Sequence, residues 1–284
     1  MPPPGSDLPP PHCKVCDLSD FRDPELNELI REIFAEDLER FGPRFPEGRE
    51  YRKHWEIAMS ARALREAGSI RPDAEVLGVA AGREATIYWL SRHVRRVFAT
   101  DLYLTDDAWS ELDSDAAMLT DPGRHWAGEW NPRRVVVQHM DALDLRYEDD
   151  SFDAVFSSGS IEHFGGHEEV HRAAREMHRV LRPGGVAVVS TEFRLEGPSP
   201  GLPGIMMLDR GDLTELLFEG VDWEPMSELD TSISEETLST VTDLADAVAD
   251  RAAGRPEWST YPHIVLRHDG HLFTSVHLAF RKAA

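Results

Sequence analysis

Between residues 74 and 190, five short apolar runs alternate with helical stretches, and small or acidic residues lie at or just beyond the end of each run. The runs fall at residues 74–79, 96–100, 135–138, 154–157 and 186–190. Each is short and apolar along its length, as expected of parallel strands covered on both faces. The clearest helical stretch is 167–181, stopped by Pro183-Gly184-Gly185. This alternation predicts a doubly wound α/β sheet. The chain ends differently: residues 263–267, then Asp269-Gly270, then 272–281 predict an antiparallel hairpin with a tight turn.

Ahead of the sheet, Asp23-Pro24-Glu25 has the form of a helix start, with a capping acid and proline at the first helical position. Leu26, Leu29, Ile30, Ile33, Phe34 and Leu38 then recur at helical spacing as far as Gly42-Pro43. A second helix is predicted over 52–67, ending at Gly68; the favoured reading puts Trp55 in the core and Arg52, Lys53 and Glu56 on a solvated face, and the alternative puts Tyr51, Arg52 or Trp55 against a bound ligand. Residues 1–22 begin proline-rich and are expected to be a disordered or loosely packed tail, with the folded domain at 23–284. Two segments exceed what the scaffold needs. One, 102–134, holds Trp109, Trp126 and Trp130; the other, 196–260, opens on a Gly/Pro-rich loop. Both are expected to be substrate-lid insertions. Ser232 and Glu235 are predicted to form a capping box in the second.

Charge narrows the function classes. With 52 acidic against 30 basic side chains, the formal charge of -22 repels phosphate backbones and anionic headgroups. Neither a nucleic-acid nor a membrane partner is expected. No apolar run approaches the ~18–20 residues of a membrane-spanning helix, and the start lacks the pattern of a secretory signal. A cytoplasmic protein is the expectation. Cys13 and Cys16, the only cysteines, form with His12 half of a zinc knuckle. A structural zinc needs about four ligands, so no metal is expected. The histidines at 263, 268, 271 and 277 read as alternation on exposed strands.

The chemistry-bearing residues sit at strand ends. Gly78-Val79-Ala80-Ala81-Gly82 follows the first strand, and Asp101 ends the second, 19 residues beyond Gly82. Asp141 follows the third strand, and Ser157-Ser158-Gly159 the fourth. Doubly wound sheets bind ligands at this edge. Small residues admit a ligand close to the backbone, and an acid about 20 residues on suits ribose hydroxyls. Ala80 and Glu84 stand where a dinucleotide fingerprint has glycines. Glu84 also places a negative charge near a helix N-terminus that would otherwise attract phosphate. A sulfonium nucleoside suits this loop better than a dinucleotide.

These segments together resemble the class I S-adenosylmethionine-dependent methyltransferases. Residues 76–82 are similar to that family's first motif and Val97-Phe98-Ala99-Thr100-Asp101 to its second-strand motif. Met140-Asp141-Ala142-Leu143 resembles the adenine-side motif. Residues 150–157, followed by Ile161-Glu162-His163-Phe164, resemble its fourth-strand segment, and Arg179-Val180-Leu181-Arg182-Pro183-Gly184-Gly185 the turn before strand five. The resemblance implies a Rossmann-like sheet of seven strands with S-adenosyl-L-methionine as cofactor. It implies that Gly78, Ala80 and Gly82 line the methionine moiety, that Asp101 and Leu102 meet the ribose, and that Asp141 and Ala142 meet the adenine. Ser158 and Gly159 would border the sulfonium. Gly78 departs from the pattern, which often has an acid there, and Glu84 is a candidate replacement for that acid.

An oxygen acceptor needs a general base, and His163 and Glu162, just beyond strand four, are the candidates. The expected function is methyl transfer to a small-molecule acceptor, a sugar or natural-product hydroxyl or amine. The alternatives are a nicotinamide-dependent oxidoreductase on a similar fold and a non-catalytic binding scaffold.

Overall fold

A computed structural model describes residues 11–105, 115–246 and 260–284. Trp109 and the middle of the second insertion lie outside these residues. In chain order the elements are β1 (Lys14–Val15), α1 (Pro24–Ile33), α2 (Ala35–Phe41), α3 (Arg52–Glu66), β2 (Glu75–Val79), α4 (Ala85–His93) and β3 (Arg96–Asp101). There follow β4 (Val135–His139), β5 (Phe152–Ser158), α5 (His167–Val180), β6 (Leu181–Glu196), β7 (Gly201–Leu202) and β8 (Ile205–Met206). The remainder is α6 (Arg210–Leu213), β9 (Trp223–Pro225), α7 (Glu235–Leu238), β10 (Thr242–Asp243), β11 (Leu266–His268) and β12 (His271–Lys282).

The main sheet runs β10-β11-β12-β6-β5-β2-β3-β4. Strands β4, β3, β2, β5 and β6 are mutually parallel, and β12 is antiparallel to β6. The chain order reverses between β2 and β5, so the switch point lies where these two strands end. Alternation along each strand divides the core into two layers. Val76 and Phe156 face α1, α3 and α4 with Trp55, Met59 and Trp89, whereas Leu77 and Val155 face α5 with Val170 and Met177.

The terminal hairpin forms as predicted. Asp269 and Gly270 both have positive φ, 41° and 77°, the geometry that lets two residues join twisted strands. The α1 start is also as read: the Asp23 carboxylate accepts from the Glu25 and Leu26 amides. Four expectations are corrected. The sheet has ten strands rather than seven: β10 adds to β11, and β1 and β9 join β11 on the outer edge of β12, at residues 276–277, 280–282 and 271–273 in turn. A twelve-residue strand leaves an edge too long for any one short partner, and pairing it in pieces removes an exposed ladder.

The supposed tail is packed from His12 onward: Cys13, Val15 and Cys16 are fully buried, and β1 is one of those edge pieces. Ser234, not Ser232, caps the helix at Glu235–Leu238, accepting from the Thr237 amide. The hairpin histidines are not on exposed strands. His263, His271 and His277 are buried, and burial pushes the His263 and His277 imidazoles down to about 3, so both remain neutral. The thiols of Cys13 and Cys16 are pushed up by burial. Among the described residues no three metal-ligating side chains converge, and no helix is long and apolar enough to cross a membrane.

Candidate active site

The loop from β2 to α4 is shaped by two left-handed residues, Ala80 and Gly82, each with φ of 49°. Glycine adopts that conformation freely; alanine adopts it at a cost of about 1 kcal/mol. The surroundings hold the loop there. The Ser160 hydroxyl donates to Ala80 O (2.8 Å), the Ala81 amide to Thr100 O (2.9 Å), and the Tyr103 hydroxyl to Gly82 O (2.7 Å). Asp101 completes the arrangement. Its Oδ2 accepts from the Gly82 amide at 2.8 Å and its Oδ1 from the Leu102 amide at 2.6 Å. Gly78 has a different reason to be glycine. A Cβ there would lie 2.5 Å from the Phe156 ring and 2.8 Å from Ala81 Cβ, so no side chain fits.

Leu102 and Asp141 come together across β3 and β4. With His139, Met140, Asp144 and Arg146 they line a cleft of about 150 Å³, while Ala142 is buried behind them. Asp141 Oδ1 accepts from the Leu143 amide, which orients the carboxylate within the turn.

Beyond β5, Ser158, Gly159 and Glu162 border a group of buried charges that sequence reasoning missed. Arg52 and Glu56 were expected on a solvated face, yet they are 6 % and 1 % exposed. Arg52 Nη1 donates to Glu192 Oε1 and Oε2 (2.9 and 2.8 Å) and to the Ser275 hydroxyl (2.7 Å). Lys53 Nζ lies 3.0 Å from Glu56 Oε1 and 3.4 Å from Glu192 Oε1. Burial opposes the charged forms of both cations, but Glu192 and Glu56 outweigh it and raise both pKa values. Burial likewise opposes the Glu192 carboxylate, and the two cations hold it below its usual range. The signal available beforehand was Glu192 itself, a charge inside an otherwise apolar run. The predicted strand stopped at Ser190, two residues short of it. Trp55 does enter the core, with its Nε1 donating to Asp20 Oδ2 (2.9 Å).

The two remaining acids behave differently. Burial pushes the Glu84 carboxyl up to about 8, with the Glu56 charge adding to it and the Thr86 and Ser158 hydroxyls pulling the other way. Glu162 is also raised, by burial and then by Glu192. Glu84 Oε1, Thr86 Oγ1 and Ser158 Oγ are all buried, and the two hydroxyls lie near the carboxyl without a hydrogen bond of full geometry. A raised carboxyl pKa means that the folded protein binds a proton the unfolded chain gives up. Its contribution to stability is therefore complete below ~4.5 and lost as the pH climbs through about 8. Urea titrations of wild type and Glu84→Gln should accordingly diverge from pH 5 to pH 9. The variant is expected to gain at least about 1 kcal/mol on wild type over that range.

His163 does not stand alone. Its Nδ1 lies 2.9 Å from Gly204 O, so that nitrogen carries the proton and Nε2 is the basic one. The contact comes from the loop of the second insertion, where β7 pairs with β8 beside residues 161–163.

Residues 77–189 match the family model described as a methyltransferase domain. A 57-residue segment of the chain is 47 % identical to a mouse protein named probable tRNA methyltransferase 9B. That segment spans 20 % of this chain and 13 % of the mouse protein. The chain's fold resembles that of the [4+2]-cyclase SpnF, with a TM-score of 0.52 at 19 % identity over 90 % of this chain and 94 % of the other. A protein described as a sarcosine dimethylglycine methyltransferase from Galdieria sulphuraria gives 0.52 at 15 % identity, covering 80 % and 85 %.

The residues present fit a cofactor that is a cationic nucleoside. Two cations, Arg52 and Lys53, pair with the Glu56 and Glu192 carboxylates, and beside them stand two further acids with raised pKa values, Glu84 and Glu162. The Ser158 hydroxyl acts on the Glu84 carboxyl at the same place.

Proposed function

We propose that this chain transfers a methyl group from S-adenosylmethionine to a small-molecule acceptor, a sugar or natural-product hydroxyl or amine. The observation that carries the reading is the Gly82–Asp101 staple, set within residues 77–189 at the sheet's switch point. When bound, the cofactor supplies a methyl group activated by a sulfonium. In this reading Gly78, Ala80 and Gly82 line the methionine portion and Asp101 and Leu102 meet the ribose. Asp141 and Ala142 meet the adenine, and Ser158 and Gly159 border the sulfonium.

Glu162 and His163 would serve the acceptor. Glu162 Oε2 accepts from Thr191 Oγ1 at 2.8 Å, which leaves Oε1 on the Gly159 side. The upward pKa of Glu162 is the direction that makes a carboxylate a better base near neutral pH. Positioning of the acceptor would supply most of the remaining acceleration.

The charge of -22 and the β7–β8 loop against His163 support a small acceptor over RNA. The name of the mouse relative points the other way. Incubation with methyl-labelled S-adenosylmethionine plus either a small-molecule extract or total tRNA decides between them. Label is expected in the small-molecule fraction, and Glu162→Gln should slow single-turnover transfer about 10²-fold or more. Label in tRNA alone, or in neither fraction, would sink the reading.

A further inference from the structure

Prolines at 198, 200 and 203 remove three amide donors from the stretch between β6 and β8, so its carbonyls must find donors elsewhere. Three of those carbonyls are taken. Met207 N donates to Pro200 O beside the β7–β8 pair (2.8 Å), and side chains serve the other two. Gly204 O receives His163 Nδ1 at 2.9 Å, and Pro198 O lies 3.0 Å from Nε2 of His271. The two ends of this flap, residues 197–206, are held differently. Past its far end, Leu208 N donates to Glu192 O, Arg194 N to Leu208 O and Arg194 Nη1 to Met207 O, at 3.0, 2.9 and 2.7 Å. Where the chain leaves β6, the hold is a side chain from the terminal hairpin. His271 is 5 % exposed, and its Nδ1 faces Asp269 O in the hairpin turn at 3.1 Å. With both nitrogens protonated, the ring donates to turn and flap together. Gly197 fits the contact: its φ is 112°, and a Cβ there would lie 2.7 Å from His271 Cδ2 and 3.0 Å from Gly270 O.

We propose that His271 is a positioning residue for the acceptor site: it latches the flap so that Gly204 O stays on His163. The line of contact is short. His271 Nε2 holds Pro198 O, the flap runs on through β7 and β8, and Gly204 O keeps the proton on His163 Nδ1. β8 also packs beside residues 161–163, so the flap borders the segment that carries Glu162. With the latch open, the cost of ordering the flap falls on β7 and β8, which pair through only two residues each. The catalytic meaning of the latch rests on the reading that Glu162 and His163 serve the acceptor, whereas the latch itself is a property of the fold.

Amide hydrogen exchange read by mass spectrometry tests the latch without cofactor or acceptor, so its failure is distinct from failure of the proposed transfer. The full chain is compared as wild type, His271→Leu, His271→Gln and Gly197→Ala at about pH 6, where histidine rings take up a second proton. His271→Leu removes the donor, and Gly197→Ala pushes the flap off an intact His271. Both are expected to speed exchange about 3- to 10-fold in peptides covering 198–207 and 161–164, the scale of one net hydrogen bond. Peptides from 274–281 in β12 should stay within about twofold of wild type. His271→Gln puts an amide donor near the Nε2 position and should recover most of the protection. Unchanged flap exchange in either disruptive variant overturns the proposal. So does a flap response that leaves 161–164 unmoved, a uniform rise that includes β12, or no recovery with glutamine.

Discussion

Replacement of Asp101 by alanine is expected to weaken S-adenosylhomocysteine binding at least about 100-fold, close to 3 kcal/mol. Two losses combine in that figure. The carboxylate proposed to meet the ribose disappears, and so does the staple that holds the loop. Asp101 accepts from Gly82 N at 2.8 Å and from Leu102 N at 2.6 Å, so both flanks of the ligand site lean on one side chain. Hydrogen bonds to a carboxylate are about twice as strong as neutral ones, and here they restrain a loop whose Ala80 is left-handed. Asp101→Asn keeps one accepting oxygen and should fall between wild type and alanine. Calorimetry gives the affinities, and circular dichroism shows whether the fold survives. Near-wild-type affinity in the alanine variant would remove Asp101 from the cofactor site.

Stability offers the second large effect. Arg52→Ala is expected to cost about 3–5 kcal/mol, the range for breaking a buried ion pair on one side only. The arginine is bound to both oxygens of Glu192 and to Ser275, with Glu56 3.5 Å away. Without it, Glu56 and Glu192 would share Lys53 as their one cation among the described residues, in a largely buried place. Uncompensated charge in low dielectric is what makes such deletions severe. The double variant Arg52→Ala/Glu192→Ala should therefore be more stable than the sum of the single changes implies. Urea denaturation measures all three. A loss below ~1 kcal/mol for Arg52→Ala would mean that the cluster contributes little to the native state.

How much was legible in advance depended on the range of the interaction. Gly82, Asp101 and Asp141 were readable because each lies at the end of an apolar run, where connectivity alone dictates its position on the sheet edge. The hairpin turn was readable for the same local reason, since Asp269 and Gly270 supply the two positive φ values themselves. Cys13 and Val15 were misread because nothing in a proline-rich start shows that β12 will need a strand at residues 276–277. His277 was misread because alternation says which face a residue takes and not whether that face is covered.

Chain order and side-chain period, both properties of neighbouring residues, were sufficient for the parallel sheet and its switch point. The charge group required the folded protein. Arg52 and Glu192 are 140 positions apart, and Arg52 and Ser275 are 223 apart. At such separations a charged residue on a helix looks the same whether it will face water or another charge. Only packing removes the water, and only after its removal do six ionisable groups settle into two paired cations, two paired carboxylates and two acids with raised pKa values.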